Sequence, residues 1–281
     1  MKGVIIAAGY GTRFLPVTKT VPKEMLPLVD VPSIKFIIDE FVSSGIRDIL
    51  VISSRRKKVL EDFLDREVEL EAALKAEGKD ALLEKIVPPD VNVFFMRQRE
   101  MLGTGHALML AESFTGNEPF VVAYPDDLHF GKKPLAGQLI ERYKKTGCCV
   151  MASIYNPPNL SRYGVLKIEN NRVVDMVEKP AAGTEPGRDA SIGRYLYTPD
   201  IFPLLREGWE KHTGGEYYHL YALKKLMTAG RVVNHSIEGE RIDTGEPSGY
   251  LLAILKYAET RKELLPILKD WAETFLDSHG T

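Results

Sequence analysis

A glycine-rich stretch near the amino terminus has the residue types needed to hold a charged group. It reads Ala8-Gly9-Tyr10-Gly11-Thr12-Arg13 and directly follows the apolar run at residues 4–6. Because glycine lacks a β-carbon, the main-chain N–H groups of such a loop are unobstructed and can approach an anion. The arginine adds a planar group that stays positively charged. The stretch therefore indicates a phosphate-binding loop, although a tight structural turn would give the same short pattern.

The spacing within this loop excludes two familiar phosphate-binding motifs. The dinucleotide-binding fingerprint requires a third glycine where this chain has Phe14. The other motif requires Gly-Lys-Ser/Thr five residues after its first glycine, and the chain has no such tripeptide there. The loop needs a different explanation.

The composition is that of a globular protein without an excess of either charge. Of the 281 residues, 44% are hydrophobic and 27% are charged, and the net charge of −2 gives no electrostatic reason to expect nucleic acid. No apolar run approaches the roughly 18 residues that cross a bilayer, and the opening MKGVIIAAGYGTR is too soon charged for a secretory signal. The adjacent Cys148 and Cys149 cannot join distant segments. We expect a reduced, cytoplasmic protein that binds neither nucleic acid nor a membrane.

Alternating apolar and amphipathic stretches in residues 1–155 predict an α/β fold with a Rossmann-like, mostly parallel sheet flanked by helices. Strands are predicted at residues 3–8, 48–53, 91–96 and 119–123, and helices at 33–44, 105–114 and 134–146. In such a sheet, ligands bind at the carboxyl ends of the strands. The glycine loop follows the first strand and Asp126 follows the fourth. Both are therefore expected at the ligand-binding edge.

The rest of the chain predicts a charged arm, a hairpin and a helical end. Residues 55–85 carry sparse apolar positions at helical spacing, which predicts a long helical arm that is either solvated or binds a partner. Residues 163–180 alternate apolar and polar side chains around Asn170-Asn171, which predicts a β-hairpin. A strand is expected at 191–197, a helix at 217–227, a strand at 232–237, and helices over the last 35 residues.

Several segments, in order along the chain, resemble signature segments of the sugar-1-phosphate nucleotidyltransferases. They are AAGYGTRFLPVTKTVPKEMLPLVDVP, MRQREMLGTGHAL, YPDDL, SRYGV, VEKP, IGRY and RIDTGEPSGY. Within this superfamily, PKEML is similar to the bacterial UTP–glucose-1-phosphate uridylyltransferase branch. The resemblance implies one nucleotidyltransferase domain over residues 1–260, followed by a helical tail at 261–281. Its nucleotide-binding half would span about 1–155, and its hairpin-containing sugar-phosphate-binding half about 156–260.

The resemblance implies a magnesium-dependent nucleotidyl transfer. A phosphate oxygen of glucose 1-phosphate would attack the α-phosphorus of UTP directly, giving UDP-glucose and pyrophosphate. Because a sugar phosphate is already ionised at neutral pH, no general base is required, and catalysis should be mostly positioning and electrostatic stabilisation. The expected partners are therefore UTP and glucose 1-phosphate, and the expected cofactor is Mg²⁺.

The resemblance also assigns the nucleotide contacts. The residues that would bind the nucleotide are Ala8, Gly9, Gly11, Thr12, Glu24, Gln98 and Gly103. Arg13 would neutralise the leaving pyrophosphate, and Lys23 would add a second positive charge beside the triphosphate. Gln98 carries both a donor and an acceptor, which match the edge of uracil.

Metal binding is assigned to two acidic residues in the same way. Asp126 and Asp243 would hold Mg²⁺, because two carboxylates completed by phosphate oxygens and waters are a usual magnesium arrangement. The implied catalytic set is Arg13, Lys23, Asp126 and Lys179. The six histidines show no metal-ligand spacing.

The sugar-phosphate contacts are implied by the second half of the chain. Glu178 would accept hydrogen bonds from sugar hydroxyls, Lys179 would pair with the sugar's phosphate, and Gly164 would give the sugar close access to the backbone. Adjacent side chains of a strand point to opposite faces, so a bend near Pro180 is required. Arg194 would be either another phosphate contact or part of a structural salt bridge.

One segment departs from the branch pattern. Where the branch usually has Glu-Ile-Gln-Leu-Thr-Asp-Ala, residues 216–222 read Glu-Tyr-Tyr-His-Leu-Tyr-Ala. Glu240 also stands where lysine is common, and Thr244 where cysteine is. These changes lie in the half that should bind the sugar, so they leave the sugar's identity, or its regulation, open.

Two alternatives and the assembly stay open at this point. In the first alternative, the chain catalyses the same reaction with another nucleotide, such as dTTP, or with another sugar. In the second, it is an inactive paralogue that binds a nucleotide sugar and modulates a partner. Exposed helices in the arm and at the carboxyl end favour a homo-oligomer. No heptad pattern selects between a dimer and a tetramer.

Overall fold

The computed structural model describes residues 1–279, and its strands form one large sheet and two small ribbons. The strands are β1 (Lys2–Ile6), β2 (Pro27–Leu28), β3 (Val31–Pro32), β4 (Asp48–Ser53), β5 (Asn92–Arg97), β6 (Phe120–Ala123), β7 (Asp127–Phe130), β8 (Cys149–Tyr155), β9 (Gly164–Glu169), β10 (Arg172–Glu178), β11 (Asp189–Tyr197), β12 (Val232–Ser236) and β13 (Glu240–Asp243). The helices are α1 (Ser33–Ser43), α2 (Lys58–Leu64), α3 (Val68–Ala76), α4 (Asp80–Ile86), α5 (Thr104–Leu110), α6 (Glu112–Thr115), α7 (Leu135–Thr146), α8 (Ile201–Glu210), α9 (Leu220–Thr228), α10 (Pro247–Glu259) and α11 (Leu265–His279).

The large sheet confirms the predicted α/β fold. Within residues 1–279 its strand order is β5-β4-β1-β6-β11-β8-β12-β10-β9. β5, β4, β1 and β6 are parallel to one another, as predicted. β11, from the second part of the chain, lies between β6 and β8 of the first part and runs antiparallel to both. The carboxyl ends of β1 and β6 therefore lie side by side at one edge.

Helices cover both faces of this sheet, because β1 buries side chains alternately on each side. Ile5 belongs to a core cluster with residues of α1, α7 and α10, whereas Val4 and Ile6 belong to a second cluster with residues of α5, α8 and α9. This alternation follows from the two-residue period of a strand. The sheet is thus the middle layer of three.

The charged arm differs from its prediction. Residues 55–85 form three short helices, α2, α3 and α4, so the expectation of one long helical stretch is wrong. One cause is Gly78, whose φ of 68° ends α3 and reverses the chain, and Lys79 N–H then bonds the carbonyl of Leu74. The helical spacing of the apolar residues is compatible with several short helices as well as with one long helix.

The predicted hairpin is present, and the predicted carboxyl-terminal tail is helical as far as residue 279. The hairpin is present as β9 and β10, and Asn170 and Asn171 both have positive φ in its turn, as two-residue hairpin loops prefer. The carboxyl end is helical in α10 and α11, and residues 280–281 of the predicted tail lie outside the described residues. None of the helices within residues 1–279 combines the length and apolar character that a bilayer span requires.

Of the two roles expected for Arg194, the structure supports the structural salt bridge and not the contact with the sugar's phosphate. Its side chain on β11 is fully buried, and Nη2 donates to Glu40 Oε2 at 3.0 Å and to the carbonyl of Asp127 at 3.0 Å. Glu40 in turn accepts from the main-chain N–H of Ala136 at 2.9 Å. This ion pair ties α1 to the sheet and to α7.

The Arg194–Glu40 pair gives a test of what holds these layers together. Glu40→Ala leaves a buried guanidinium without its counter-charge, and we expect it to lower the free energy of unfolding by about 3–5 kcal/mol. The matched control is Asp39→Ala, which breaks an exposed pair with Lys35 on the same helix and should cost less than about 1 kcal/mol. Urea unfolding followed by circular dichroism measures both. Equal losses for the two variants would contradict the assignment.

Candidate active site

Two neighbouring cavities lie beside Tyr124, the residue that follows the carboxyl end of β6. One, called here the loop cavity, has a volume of about 400 Å³ and is lined by the glycine loop and by Lys23, Glu24 and Asp126. The other, called the hairpin cavity, has a volume of about 440 Å³ and is lined by residues of β9–β11. Thr104 and Tyr124 line both cavities, so the two are immediate neighbours.

The glycine loop is shaped by its own backbone. Gly11 has a φ of 70°, in the left-handed region that favours glycine, and its carbonyl accepts a 2.7 Å hydrogen bond from the Thr18 hydroxyl. Gly9, Gly11, Thr12 and Arg13 line the loop cavity, and Arg13 Nη1 approaches the Gly245 carbonyl at 3.4 Å. Ala8 is buried beneath the loop. Apart from Ala8, the predicted loop residues meet at this cavity.

Lys23 and Asp126 form an ion pair in the loop cavity. Lys23 Nζ lies 2.5 Å from Asp126 Oδ2, and both side chains are largely buried. Burial by itself would lower the pKa of Lys23, but the charges of Asp126 and Glu24 outweigh it and hold that pKa above its usual 10.5. Burial would likewise raise the pKa of Asp126, but Lys23 holds it below 3.8. Both groups are therefore charged at neutral pH.

Glu24 is held by a lysine that sequence reasoning missed. Lys57 Nζ donates to Glu24 Oε1 at 2.7 Å, and both side chains are almost fully buried. Burial lowers the pKa of Lys57 despite the charge of Glu24. Within the described residues, Glu24 Oε2 is buried without a hydrogen-bond partner. The run RRKK belongs to the arm that is predicted to be solvated or to bind a partner, and its sequence carries no signal that one of its lysines turns inward.

Asp243 lies next to Asp126 across Gly245. A β-carbon placed on Gly245 would lie 2.9 Å from both Asp126 Oδ2 and Asp243 Oδ1. The two carboxylates thus converge on a space that only glycine leaves open. In residues 1–279 there is no cluster of three or more histidine, cysteine or acidic side chains that would enclose a metal. Two converging carboxylates fit Mg²⁺, which in such sites takes its remaining ligands from phosphates and water.

Gln98 and Gly103 are brought together by a hydrogen bond. Gln98 is buried, and its Nε2 donates to the Gly103 carbonyl at 3.0 Å and lies 3.2 Å from His106 Nδ1. Gly103 has a φ of 95°, and a β-carbon there would overlap the main chain of Tyr217. The Gly103 carbonyl thus fixes the orientation of the Gln98 amide. His106, on α5, packs against Trp209 of α8, with the ring centroids 5.2 Å apart.

Gly164, Glu178 and Lys179 all line the hairpin cavity. Lys179 follows the end of β10 and has a φ of 47°, a conformation that non-glycine residues rarely adopt. Its N–H bonds the Tyr163 carbonyl at 2.9 Å. This left-handed residue is the bend that the sequence required, because it brings two adjacent side chains to the same cavity.

Arg241 is a second cation of the hairpin cavity that sequence reasoning missed. Its Nε donates to Asp127 Oδ1 at 2.5 Å, and its Nη2 lies 3.4 Å from Asp243 Oδ2. Burial would lower the pKa of Arg241, but Asp127 raises it further above its usual value. A signal was present in RIDTG, because residues two apart on a strand share a face. Arg241 and Asp243 are related in this way on β13.

The segment that departs from the branch pattern lies between the two cavities. Tyr217 N–H bonds the Leu102 carbonyl at 2.7 Å, and Gly105 N–H bonds the Tyr217 carbonyl at 2.8 Å. Tyr218 and His219 line the hairpin cavity, whereas Tyr221 points away and bonds Glu207. The segment was expected to be helical from 217, but α9 begins at Leu220, because Tyr217 is held by these main-chain bonds instead.

Known proteins share both the sequence and the fold. The chain is 40% identical over 284 residues to the UTP–glucose-1-phosphate uridylyltransferase of Bacillus subtilis (strain 168), a match that covers 98% of this chain and 97% of that protein. It superimposes on the UTP-bound UGPase from Acinetobacter baumannii with a TM-score of 0.88, at 31% identity and with 96% and 98% of the two chains covered. A UDP-glucose pyrophosphorylase complexed with UDP-glucose gives a TM-score of 0.79, at 36% identity and with 92% and 99% covered.

The sequence model of one protein family also matches most of the chain. This family is described as nucleotidyl transferase, and the match spans residues 2–260, from the start of β1 to the end of α10. It contains the glycine loop, both cavities and every residue assigned to them above. The chain therefore belongs to the nucleotidyl transferase family.

Proposed function

We propose that this protein transfers UMP from UTP to glucose 1-phosphate, giving UDP-glucose and pyrophosphate. The observation that carries the proposal is the shared wall of the two cavities, at Thr104 and Tyr124. Each cavity has its own cations, so two anionic substrates are held next to each other. The similarity to UTP–glucose-1-phosphate uridylyltransferases and to structures that contain UTP or UDP-glucose supports this choice of substrates.

In the loop cavity, the protein would bind the triphosphate and stabilise its charge. Gly9 and Gly11 line this cavity, and their main-chain N–H groups would donate to the phosphates, while Arg13 and Lys23 would offset the charge that develops on the leaving pyrophosphate. Lys23 is held in place by Asp126 before a substrate binds. No residue is needed as a general base, because the attacking phosphate oxygen is already ionised. The sugar phosphate attacks the α-phosphorus, and the bond to pyrophosphate breaks.

In the hairpin cavity, the protein would orient the second substrate. Arg162, Lys179 and Arg241 are the cations that line this cavity, and Lys179 and Arg241 would bind the phosphate while Glu178 would accept from the hydroxyls. Gly164 leaves room beside Glu178, since a β-carbon there would lie 2.9 Å from Glu178 Oε2. These contacts would hold the phosphate oxygen close to the α-phosphorus across Thr104 and Tyr124.

Base selection would rest on the orientation of one amide. Because Gln98 Nε2 is held by the Gly103 carbonyl, its oxygen is the atom that would face the base. The N3–H group of uracil and of thymine can donate to that oxygen, whereas N3 of cytosine is an acceptor. This geometry favours UTP or dTTP over CTP.

Asp126 and Asp243 would hold Mg²⁺. When bound, this ion neutralises phosphate charge and orients the phosphate oxygens. The protein's part is to keep two carboxylates converged at Gly245, and it does so in part through the hydrogen bond from Gly245 N–H to Asp243 Oδ1 at 2.9 Å.

We further propose a cytoplasmic homo-oligomer. The buried thiols of Cys148 and Cys149 are free, which suits a reducing compartment. Apolar side chains are exposed along the last two helices, at Leu251, Leu252, Leu265, Ile267 and Trp271, which supports burial against another copy. Light scattering on a sizing column would distinguish a monomer, a dimer and a tetramer.

The reaction is tested by pyrophosphate release from purified protein with Mg²⁺. We expect release with UTP and glucose 1-phosphate and at least about tenfold lower kcat/KM with CTP, ATP or GTP, and dTTP tests the other base that the Gln98 geometry admits. Galactose, mannose and N-acetylglucosamine 1-phosphates serve as alternative acceptors. Release with a different pair would change the substrates and keep the mechanism. Binding of UDP-glucose without release from any pair would contradict the enzyme and leave the inactive paralogue.

We expect the cations of the loop cavity to contribute far more to kcat than exposed cations elsewhere on the protein. Arg13→Ala and Lys23→Ala each remove one charge facing the triphosphate, and we expect kcat to fall about 10²–10³-fold. Lys269→Ala is the control, because Lys269 is exposed on α11. Steady-state rates at saturating substrates measure the effect. Wild-type kcat in either loop-cavity variant would contradict the role of these charges.

The metal proposal is tested at Asp243, where asparagine keeps the acceptor for Gly245 N–H and removes the charge. We expect Asp243→Asn to raise the Mg²⁺ concentration for half-maximal activity at least about tenfold, because hard cations prefer charged oxygen ligands. The control is Asp270→Asn on α11. Full activity of the wild type in excess EDTA would argue against any metal requirement.

A further inference from the structure

His219 presents an unused ring nitrogen to the hairpin cavity. It lines that cavity directly before α9, and its ring meets Tyr195 edge-on at a centroid distance of 5.2 Å. Within residues 1–279, its Nδ1 is buried and has no hydrogen-bond partner. Nε2 also has no protein partner among these residues, but it is not buried. A polar atom left open at a cavity wall is available to a ligand.

The environment of the ring determines which nitrogen carries the proton. Burial lowers the pKa of His219 to about 4, so the ring is neutral at physiological pH. A neutral imidazole has one N–H group and one acceptor nitrogen. Orphaned buried N–H groups are rarer than under-satisfied acceptors. The buried Nδ1 is therefore the acceptor, and the N–H group is at Nε2, facing the cavity.

This donor complements Glu178, which lines the same cavity. The carboxylate of Glu178 accepts hydrogen bonds, whereas His219 Nε2 donates one. A sugar hydroxyl is both a donor and an acceptor, so a polyhydroxylated ring can use both groups at once. Residue 219 is a leucine in the branch pattern, and leucine offers neither function.

We propose that His219 is a specificity-determining residue that donates a hydrogen bond from Nε2 to one hydroxyl of the hexose. The inference rests on the proposed function, since it names a contact to the sugar of that reaction. His219 lines the hairpin cavity and does not line the loop cavity. Its contribution is therefore to the sugar phosphate and not to UTP.

The test compares His219→Leu, which removes the donor, with His219→Gln, which keeps an N–H donor at similar reach. We expect His219→Leu to raise KM for glucose 1-phosphate about three- to tenfold, the value of one neutral hydrogen bond, with kcat and KM for UTP unchanged. His219→Gln should recover KM to within about twofold of the wild type. The control is His212→Leu, a histidine that lines neither cavity.

Deoxy substrates identify the hydroxyl. The wild type should lose affinity for one of the 2-, 3-, 4- or 6-deoxy glucose 1-phosphates through this contact, and His219→Leu should lose nothing further with that analogue, because the contact is already absent. An unchanged KM in His219→Leu would overturn the inference. Additive losses with all four analogues, or an equal rise in KM for UTP, would overturn it too. If His219→Leu does not fold, His219→Asn gives the same comparison, since its shorter amide does not reach.

Calorimetric titration separates this inference from the proposed function. We expect His219→Leu to weaken UDP-glucose binding three- to tenfold and to leave UTP binding unchanged. That result supports the contact even if the wild type shows no turnover, in which case only the proposed reaction fails. Equal UDP-glucose affinity in the two proteins would overturn the contact even if turnover is high.

Discussion

The pairing of charges at the buried end of the sheet is the constraint on which the site depends. A cavity for polyanions needs cations close to an apolar core, where an unpaired charge is costly. Two consecutive residues of one short turn, Lys23 and Glu24, each form an ion pair with a different partner. Lys23 pairs with Asp126 in the loop cavity, and Glu24 pairs with the buried Lys57. The cations are thus held in place before a ligand arrives.

The consecutive residues Asp126 and Asp127 also have different partners. Asp126 faces the loop cavity, whereas Asp127 is buried, accepts from Gly193 N–H at 2.5 Å and pairs with Arg241. The carbonyl of Asp127 also accepts from Arg194. One carboxylate therefore contributes to the cavity while the next fixes β7, β11 and β13 around it. Two like charges in sequence are tolerated because each has its own cation.

The segment between the two cavities is attached to residues 102–105 through main-chain hydrogen bonds, which do not depend on side-chain identity. Leu102 and Gly105 bond the backbone of Tyr217, and Gly103 and Gly105 leave no room for β-carbons against residues 217–219. The unusual segment therefore keeps its backbone attachment while its side chains differ from the branch pattern. The consequence is confined to the hairpin cavity, where Tyr218 and His219 add an aromatic wall. Variation here changes the wall of the hairpin cavity and leaves the loop cavity as it was.

The sequence by itself determined the α/β class, the position of the glycine loop after β1, the hairpin around Asn170-Asn171 and the bend after Glu178. These features follow from local patterns: apolar periodicity, residues that accept positive φ, and the alternation of side chains along a strand. Most of the site residues were assigned through motifs, and the structure brings those of the two cavities to adjacent walls. The division at residue 155 stays a prediction, although β11 shows that both parts share one sheet.

Only the tertiary structure decided the partners of Arg194, Lys57 and Arg241 and the cavity that His219 lines. Arg194 lies in a motif typical of ligand contacts, yet it is buried against Glu40, which is 154 residues away in sequence. Lys57 lies in a basic run that has the composition of a solvated surface, yet it turns inward to Glu24. The sequence shows the charge and hydrogen-bonding capacity of each side chain, but long-range packing determines the partner of each group. Whether a cation faces a ligand or a buried carboxylate therefore depends on which distant segments the fold brings beside it.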